Sequence, residues 1–421
     1  MQTPRRTLTT LAAAVALTLA VPGAAHAAPA PSVAVEAVTT TVAASPKATA
    51  RSASRISLKV SQTSVRKGEL VWLSGKVTGA KPHGRKVVVE RRKAGGAWKR
   101  YTTATTSRAG SFSQSVRPTG VYQYRARVTA TSKATAAASP ALRVTFSTGK
   151  RTLAQRAAVI GSARLGAPVA GVAALTGSQA QATRVTKVTR VQHRQYAKGM
   201  LVTVERGSTV RTWLVAGKIL TAYRAQGGPT GRLGVPVADP KCGLVDKGCV
   251  QRFSRGTVYS SKAHARASVT TVTGAEGEVV AAARSHVGYR KKYAKQSVQH
   301  TKFNTWMGST GAWCSFYQSW ASAAAGRGST IPKIAKFSTF RDTVTSRMKT
   351  GSKPKVGALV FFNTYPPAGV ATHVGLVTAV KPGKITVIDG NTLGNLPAGT
   401  RGVLERTWPE SRALYYAYPS Y

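Results

Sequence analysis

Residues 311–326, GAWCSFYQSWASAAAG, constrain this chain more than any other stretch. Phe316, Ser319, Trp320 and Ala323 recur at three- and four-residue spacing, which predicts a helix with one buried face. Cys314 falls at or just before the first turn of that helix. Unpaired N–H groups and the helix dipole favour a thiolate there. A thiolate can attack a carbonyl, so Cys314 is a candidate nucleophile.

A nucleophile needs a base, and the base needs an orienting group. THVGLVTAV (372–380) opens an apolar strand with His373, and KITVIDGNT (384–392) ends in Asp389-Gly390-Asn391. Alternate strand residues share a face, so Ile385, Val387, Asp389 and Asn391 point the same way. Lys381-Pro382-Gly383 separates the two strands and predicts an antiparallel hairpin with a three-residue loop. Such a loop pairs Val380 with Lys384, His373 with Asn391 and Gly375 with Asp389. Asp389 then lies diagonal to His373, and Gly375 leaves it room to lean toward the ring. A one-residue slip would turn Asp389 and Asn391 away, so an odd loop is expected.

Trp313-Cys314-Ser315-Phe316, His373-Val374-Gly375 and Asp389-Gly390-Asn391-Thr392 together resemble a CHAP domain, a papain-like cysteine peptidase or amidase of bacterial cell walls. The resemblance covers about 272–421 and implies an α+β papain-like fold. It implies that Cys314 attacks an amide of peptidoglycan, with His373 as base and Asp389 as orienter. The bond is either the N-acetylmuramoyl-L-alanine amide or a peptide bond of the stem or cross-bridge. Asn391 is an auxiliary group or the orienter itself. The family more often has Glu at the position of Asp389. Trp306, Trp313 and Tyr317 are expected to wall a groove for a peptide stem or a sugar. Some members bind calcium through an Asp-rich loop; YRKKYAKQ (289–296) has no carboxylate, so neither metal nor cofactor is expected. The alternatives are an NlpC-type amide hydrolase and an envelope-binding protein whose papain-like domain is inactive.

The chain opens with an export signal, expected over residues 1–27. Arg5 and Arg6 precede LAAAVALTLAV (11–21) and then Ala25-His26-Ala27. The apolar run is too short to span a bilayer, and no later stretch approaches about 18 apolar residues. Residues 28–55, rich in Ala, Pro, Ser, Thr and Val, read as a flexible linker.

Composition bounds the partners. Lys and Arg number 62 against 12 Asp and Glu, a net charge of +50, spread along the chain. Such a field favours polyanions. Export argues for peptidoglycan and anionic wall polymers and against nucleic acid. Three cysteines, at 242, 249 and 314, suggest a small bridge between Cys242 and Cys249 and an odd, reactive Cys314.

The order of architectures is multidomain: an all-β sandwich, a β-rich repeat module, then the α+β domain. Short alternating runs over 56–147 predict the sandwich, and they resemble bacterial Ig-like modules. Trp72, Trp98 and Tyr124 are its expected core fillers; Glu69 and Glu90 are expected at its surface. Over 151–265, LGAPVAG (165–171) recurs as LGVPVAD (233–239) and resembles LGFP repeats, which associate secreted proteins with the cell envelope. Repeats that cannot bury a face alone stack, so one compact module is expected. Over 276–288 a helix is expected with Val279, Ala282, Ala283 and Val287 inward and His286 at its surface.

Overall fold

A computed structural model describes residues 51–147, 149–292, 300–364 and 369–421. The expected export signal, most of the linker and part of the 289–296 stretch lie outside the described residues. No helix among the described residues is long and apolar enough to cross a membrane.

The first β-region is a sandwich of two sheets. Arg55–Ile56, Lys59–Val60, Val71–Thr78 and Ser111–Val116 form one; Lys86–Arg92, Lys99–Thr105, Tyr122–Val128 and Leu142–Phe146, with two short strands, form the other. Both contribute to a single core that includes Val71, Leu73, Val87, Val89, Phe112 and Tyr124. Of the expected core fillers only Tyr124 is fully buried. Trp98 lies at the sheet surface beneath Arg92 and Arg125, and Trp72 packs against the helix Leu153–Ile160 side of the next module. Glu69 and Glu90 are both buried, contrary to expectation. Each is held by arginines: Glu69 by Arg151 and Arg156, Glu90 by Arg125 and Arg127. In a chain so short of acids, each carboxylate can find two guanidiniums, which makes its burial affordable.

The repeat region holds two four-stranded antiparallel sheets around a shared core. The two copies of its motif sit differently. In the second, Leu233, Val235, Ala238 and Asp239 are buried; in the first, Leu165 is buried but strand Pro168–Ala174 is exposed along its length. Asp239 is a joint between modules. Its carboxylate accepts from the N–H of Leu70 in the sandwich (2.7 Å) and of Leu214 in the repeat module (2.6 Å), and pairs with the buried Arg156. A disulfide links Cys242 to Cys249, cross-strand partners in the second sheet.

The C-terminal region is a seven-stranded antiparallel sheet with helices against it. Strand order is Arg290–Lys292, Thr400–Pro409, Lys384–Thr392, His373–Lys381, Leu359–Phe362, Tyr415–Tyr418, Lys349–Gly351. Helix Cys314–Ala324 packs on the His373 and Asp389 strands and on helix Gly274–Arg284. The expectation of one buried face falls short here. Phe316, Ser319 and Trp320 are buried as expected, but Ser315, Tyr317, Gln318 and Ser322 are buried as well, and Ala323 is the residue left half-buried. A helix wedged between a sheet and a second helix has no solvent face to show. Its core also runs without a break into the repeat module: Val250 and Tyr259 belong to the same cluster as Trp313 and Phe316. Lys241 donates to the carbonyl of Gly326 (2.8 Å), and Glu278 pairs with Arg252 and Arg327.

Helix Gly274–Arg284 ends before His286, and Val287 is exposed. His286, expected at a helix surface, is 1% exposed. It packs edge-on against Phe303 and Trp320 and approaches His264 of the repeat module (3.1 Å) and Lys302 (2.8 Å). Burial, together with the positive charge of Lys302 and the presence of His264, holds its pKa down at about 2.

Candidate active site

The loop leading into Cys314 is fixed by a neighbouring helix. Thr301 caps helix Lys302–Met307 through a reciprocal box with Asn304. The amide of Asn304 also donates to the carbonyls of Ser309 (3.0 Å) and Gly311 (2.8 Å). The chain then turns at Trp313 into the helix that Cys314 begins. Trp313, at the N-cap position, makes no side-chain capping bond to the N–H groups of the first turn.

The hairpin brings the remaining groups together by a route that differs from the expected one. Lys381 pairs with Lys384, which leaves a two-residue loop, Pro382-Gly383, with Gly383 at φ 67°. The odd-loop expectation is therefore corrected. The lost residue of register is recovered by a bulge between Val377 and Ala379. That bulge carries Thr378, whose hydroxyl donates to Glu405 (2.8 Å), itself held by Arg284. A bulge inserts one residue and re-aims a side chain, and here it does both. Beyond it Gly375 faces Asp389, as the sequence predicts.

Asp389 leans diagonally across Gly375, and its Oδ2 accepts from His373 Nε2 at 2.8 Å. The imidazole is also hydrogen-bonded to Cys314. Burial works against a charge on the ring. The hydrogen bonds to Asp389 and Cys314, and their negative charge, outweigh it and push the His373 pKa up to about 10. Cys314, His373, Asp389 and Asn391 line one cavity of about 400 Å³.

Asn391 does not pair with His373. The ladder to the next strand breaks between Asp389 and Thr392, and Asn391 adopts φ 59°, which takes it off the regular strand path. No hydrogen bond joins Asn391 to His373 among the described residues, and its Oδ1 is buried without a partner.

The groove aromatics need a larger correction. Trp313 and Tyr317 are fully buried and do not line the cavity that holds Cys314. Phe303 stacks on Trp313 (centroids 5.3 Å) and meets Tyr317 edge-on, and the Tyr317 hydroxyl donates to the carbonyl of Ala283. Their work is to press on Gly390, where an added Cβ would lie 2.7 Å from Trp313 and 2.8 Å from Tyr317. Trp306 is half-buried against the same core beneath Lys333 and does not line the cavity either. Large flat side chains this close to a helix of small residues are core before they are surface.

The cavity's own aromatics are Phe362 and Trp408, and its charges include Arg401, Arg406 and Arg412. Sequence reasoning missed all five. Arg406 Nη2 donates to Asp389 Oδ2 (2.8 Å) and to the Thr392 hydroxyl, so Asp389 is held by a histidine and an arginine together. The available signal was Arg406-Thr407-Trp408, alternate residues of one strand and hence one face.

A helix that starts at a cysteine and packs on an antiparallel sheet bearing a histidine and an acid is an α+β layout of the papain-like kind. The chain carries a CHAP domain, whose family model matches residues 305–391, and an LGFP repeat, matched at 233–276. Both are associated with cell walls, and the CHAP domain with hydrolysis of peptidoglycan. No curated protein matches the chain. The first motif copy, at 165–171, lies outside the LGFP match, and the three arginines lie beyond the end of the CHAP match.

Proposed function

We propose that this protein is a secreted peptidoglycan hydrolase that cleaves an amide bond, a muramoyl-alanine amide or a peptide bond of the stem or cross-bridge, through Cys314. The observation that carries this reading is the continuous set of hydrogen bonds from Cys314 through His373 to Asp389, at the wall of a cavity in a CHAP domain. His373 Nε2 is taken by Asp389, which leaves Nδ1 for the thiol. With its pKa raised to about 10, His373 already holds the thiol proton as an imidazolium beside the Cys314 thiolate, and the sulfur attacks the amide carbon. The carbonyl oxygen becomes an oxyanion within reach of the N–H of Cys314 at the helix start. Its collapse breaks the C–N bond as His373 returns the proton to the leaving amine, and a thioester remains. Water, deprotonated by His373, attacks the thioester, and the acid leaves as the thiolate re-forms. Asp389 holds the ring in one tautomer and is itself held in place by Arg406.

The net charge of +50 supports adhesion to anionic wall polymers. Elution of the protein from isolated walls by salt tests that, because exposed charges are screened. Leu233, Val235, Ala238 and Asp239 of the second LGFP motif copy are buried, so contact with the envelope falls to exposed Val237 and the surface around it.

The test is digestion of purified peptidoglycan by the full chain and by Cys314→Ala, with mass spectrometry of what is released. New amine and carboxyl ends from the unaltered chain alone are expected. Equal release by both proteins, or none by either, would overturn the proposal.

A further inference from the structure

The cavity that holds Cys314 is lined by three arginines and a single carboxylate, Asp389, which is already paired with His373 and Arg406. Arg406 spends its donors on Asp389 and Thr392. Arg401 and Arg412 do not: among the described residues neither side chain has an ion pair or a hydrogen bond. Arg412 is placed by stacking. Its guanidinium lies 4.2 Å from the centroid of Trp408, and Arg406 lies over the same ring at 4.5 Å. Stacking orients a guanidinium while leaving its N–H groups available, and those groups match a carboxylate bidentately. Arg401 is half-buried and comes just before Gly402, the strand partner of Thr392, so it stands at the Asn391 end of the cavity.

We propose that Arg412, stacked on Trp408, and Arg401 form a carboxylate-recognition site beside the nucleophile, so that the substrate is an amide of a peptide that bears a free carboxylate. This rests on the hydrolase reading and adds the charge of what is cleaved. Amide substrates with every carboxyl group blocked should bind less tightly, because they forgo the charge-assisted hydrogen bonds that exposed Arg412 and half-buried Arg401 offer a carboxylate.

The test separates this site from the general positive charge and from catalysis. Binding to the Cys314→Ala full chain is measured by calorimetry in about 0.15 M salt, where charges beyond about 8 Å are largely screened. The probes are a synthetic stem tetrapeptide with free carboxylates and its fully amidated counterpart. The free acid should bind at least about tenfold more tightly, a preference of the size one charge-assisted pair supplies. Adding Arg412→Gln or Arg401→Gln should reduce that preference and adding both should remove it, while Arg143→Gln on the exposed sandwich surface should leave it unchanged. Equal or undetectable binding of the two probes, or a preference that survives both substitutions, would overturn the site. Wall digestion by the unaltered chain, followed separately, tells failure of the site from failure of the hydrolase reading.

Discussion

His373 and Asp389 are hydrogen-bonded at 2.8 Å although they are not strand partners, because Asp389 stands opposite Gly375 and reaches diagonally to the ring. Everything proposed for Cys314 depends on that diagonal.

Cys314→Ala and His373→Ala should each lower amide turnover by about 10³-fold or more, and the double variant should be little worse than either. Asp389→Asn should cost about 10²–10⁴-fold, since it weakens the group that orients the base. Single-turnover rates on one stem peptide check this; effects that multiply in the double variant would sink the assignment.

Gly375→Ala should injure both stability and rate. An added Cβ would sit 2.3 Å from Val387 Cγ1 and 3.3 Å from Asp389 Cβ. Val387 is buried and branched and cannot swing aside. We expect a loss of about 1–3 kcal/mol by denaturant unfolding, with a fall in kcat as Asp389 is pushed off the diagonal. An alanine variant of unchanged rate would show that the diagonal tolerates displacement.

Asn391 adopts φ 59°, where glycine is at ease and alanine is not. Asn391→Gly should therefore keep the thermal midpoint. Asn391→Ala should lose about 1 kcal/mol or somewhat more. Calorimetry on the three proteins decides it, and an alanine variant as stable as the glycine variant would remove the backbone argument.

The raised pKa of His373 sets an alkaline limit. Its folded value, about 10, lies above the unfolded value of about 6.5. The stabilisation is complete below pH 6.5 and is lost as pH climbs from there toward 10. The urea midpoint should fall across that window, and His373→Gln should fall less steeply. Parallel curves for the two proteins would contradict the ring's bonds to Asp389 and Cys314.

His286 sets the opposite limit. Its folded value, about 2, lies below the unfolded one, so its contribution is complete above about pH 6.5 and is lost as pH drops toward 2. His286→Phe, which keeps a ring among Phe303 and Trp320, should flatten the urea midpoint between about pH 6.5 and 4. An unchanged acid limb would mean that other groups govern acid unfolding.

By itself the sequence determined the local things about this protein. Alternation along KITVIDGNT set that Ile385, Val387 and Asp389 share a face, and the Trp-Cys junction marked a helix start; the pairing of Gly375 with Asp389 was counted from a three-residue loop and holds only because the bulge offsets the shorter one. These follow from periods of 2 and 3.6, which need no knowledge of neighbours. Tertiary structure decided the rest. It chose a two-residue loop and a compensating bulge at Thr378, because Glu405 and Arg284 offered that side chain a partner. It buried Trp313 and Tyr317 and put Trp408 and Arg412 at the cavity instead, because the Cys314 helix is enclosed by a sheet and a second helix. It brought Arg406 to Asp389 across two strands, and His286 to His264 across two modules. Such contacts join residues far apart in the chain, and no local period carries information about which distant surface will cover a given face.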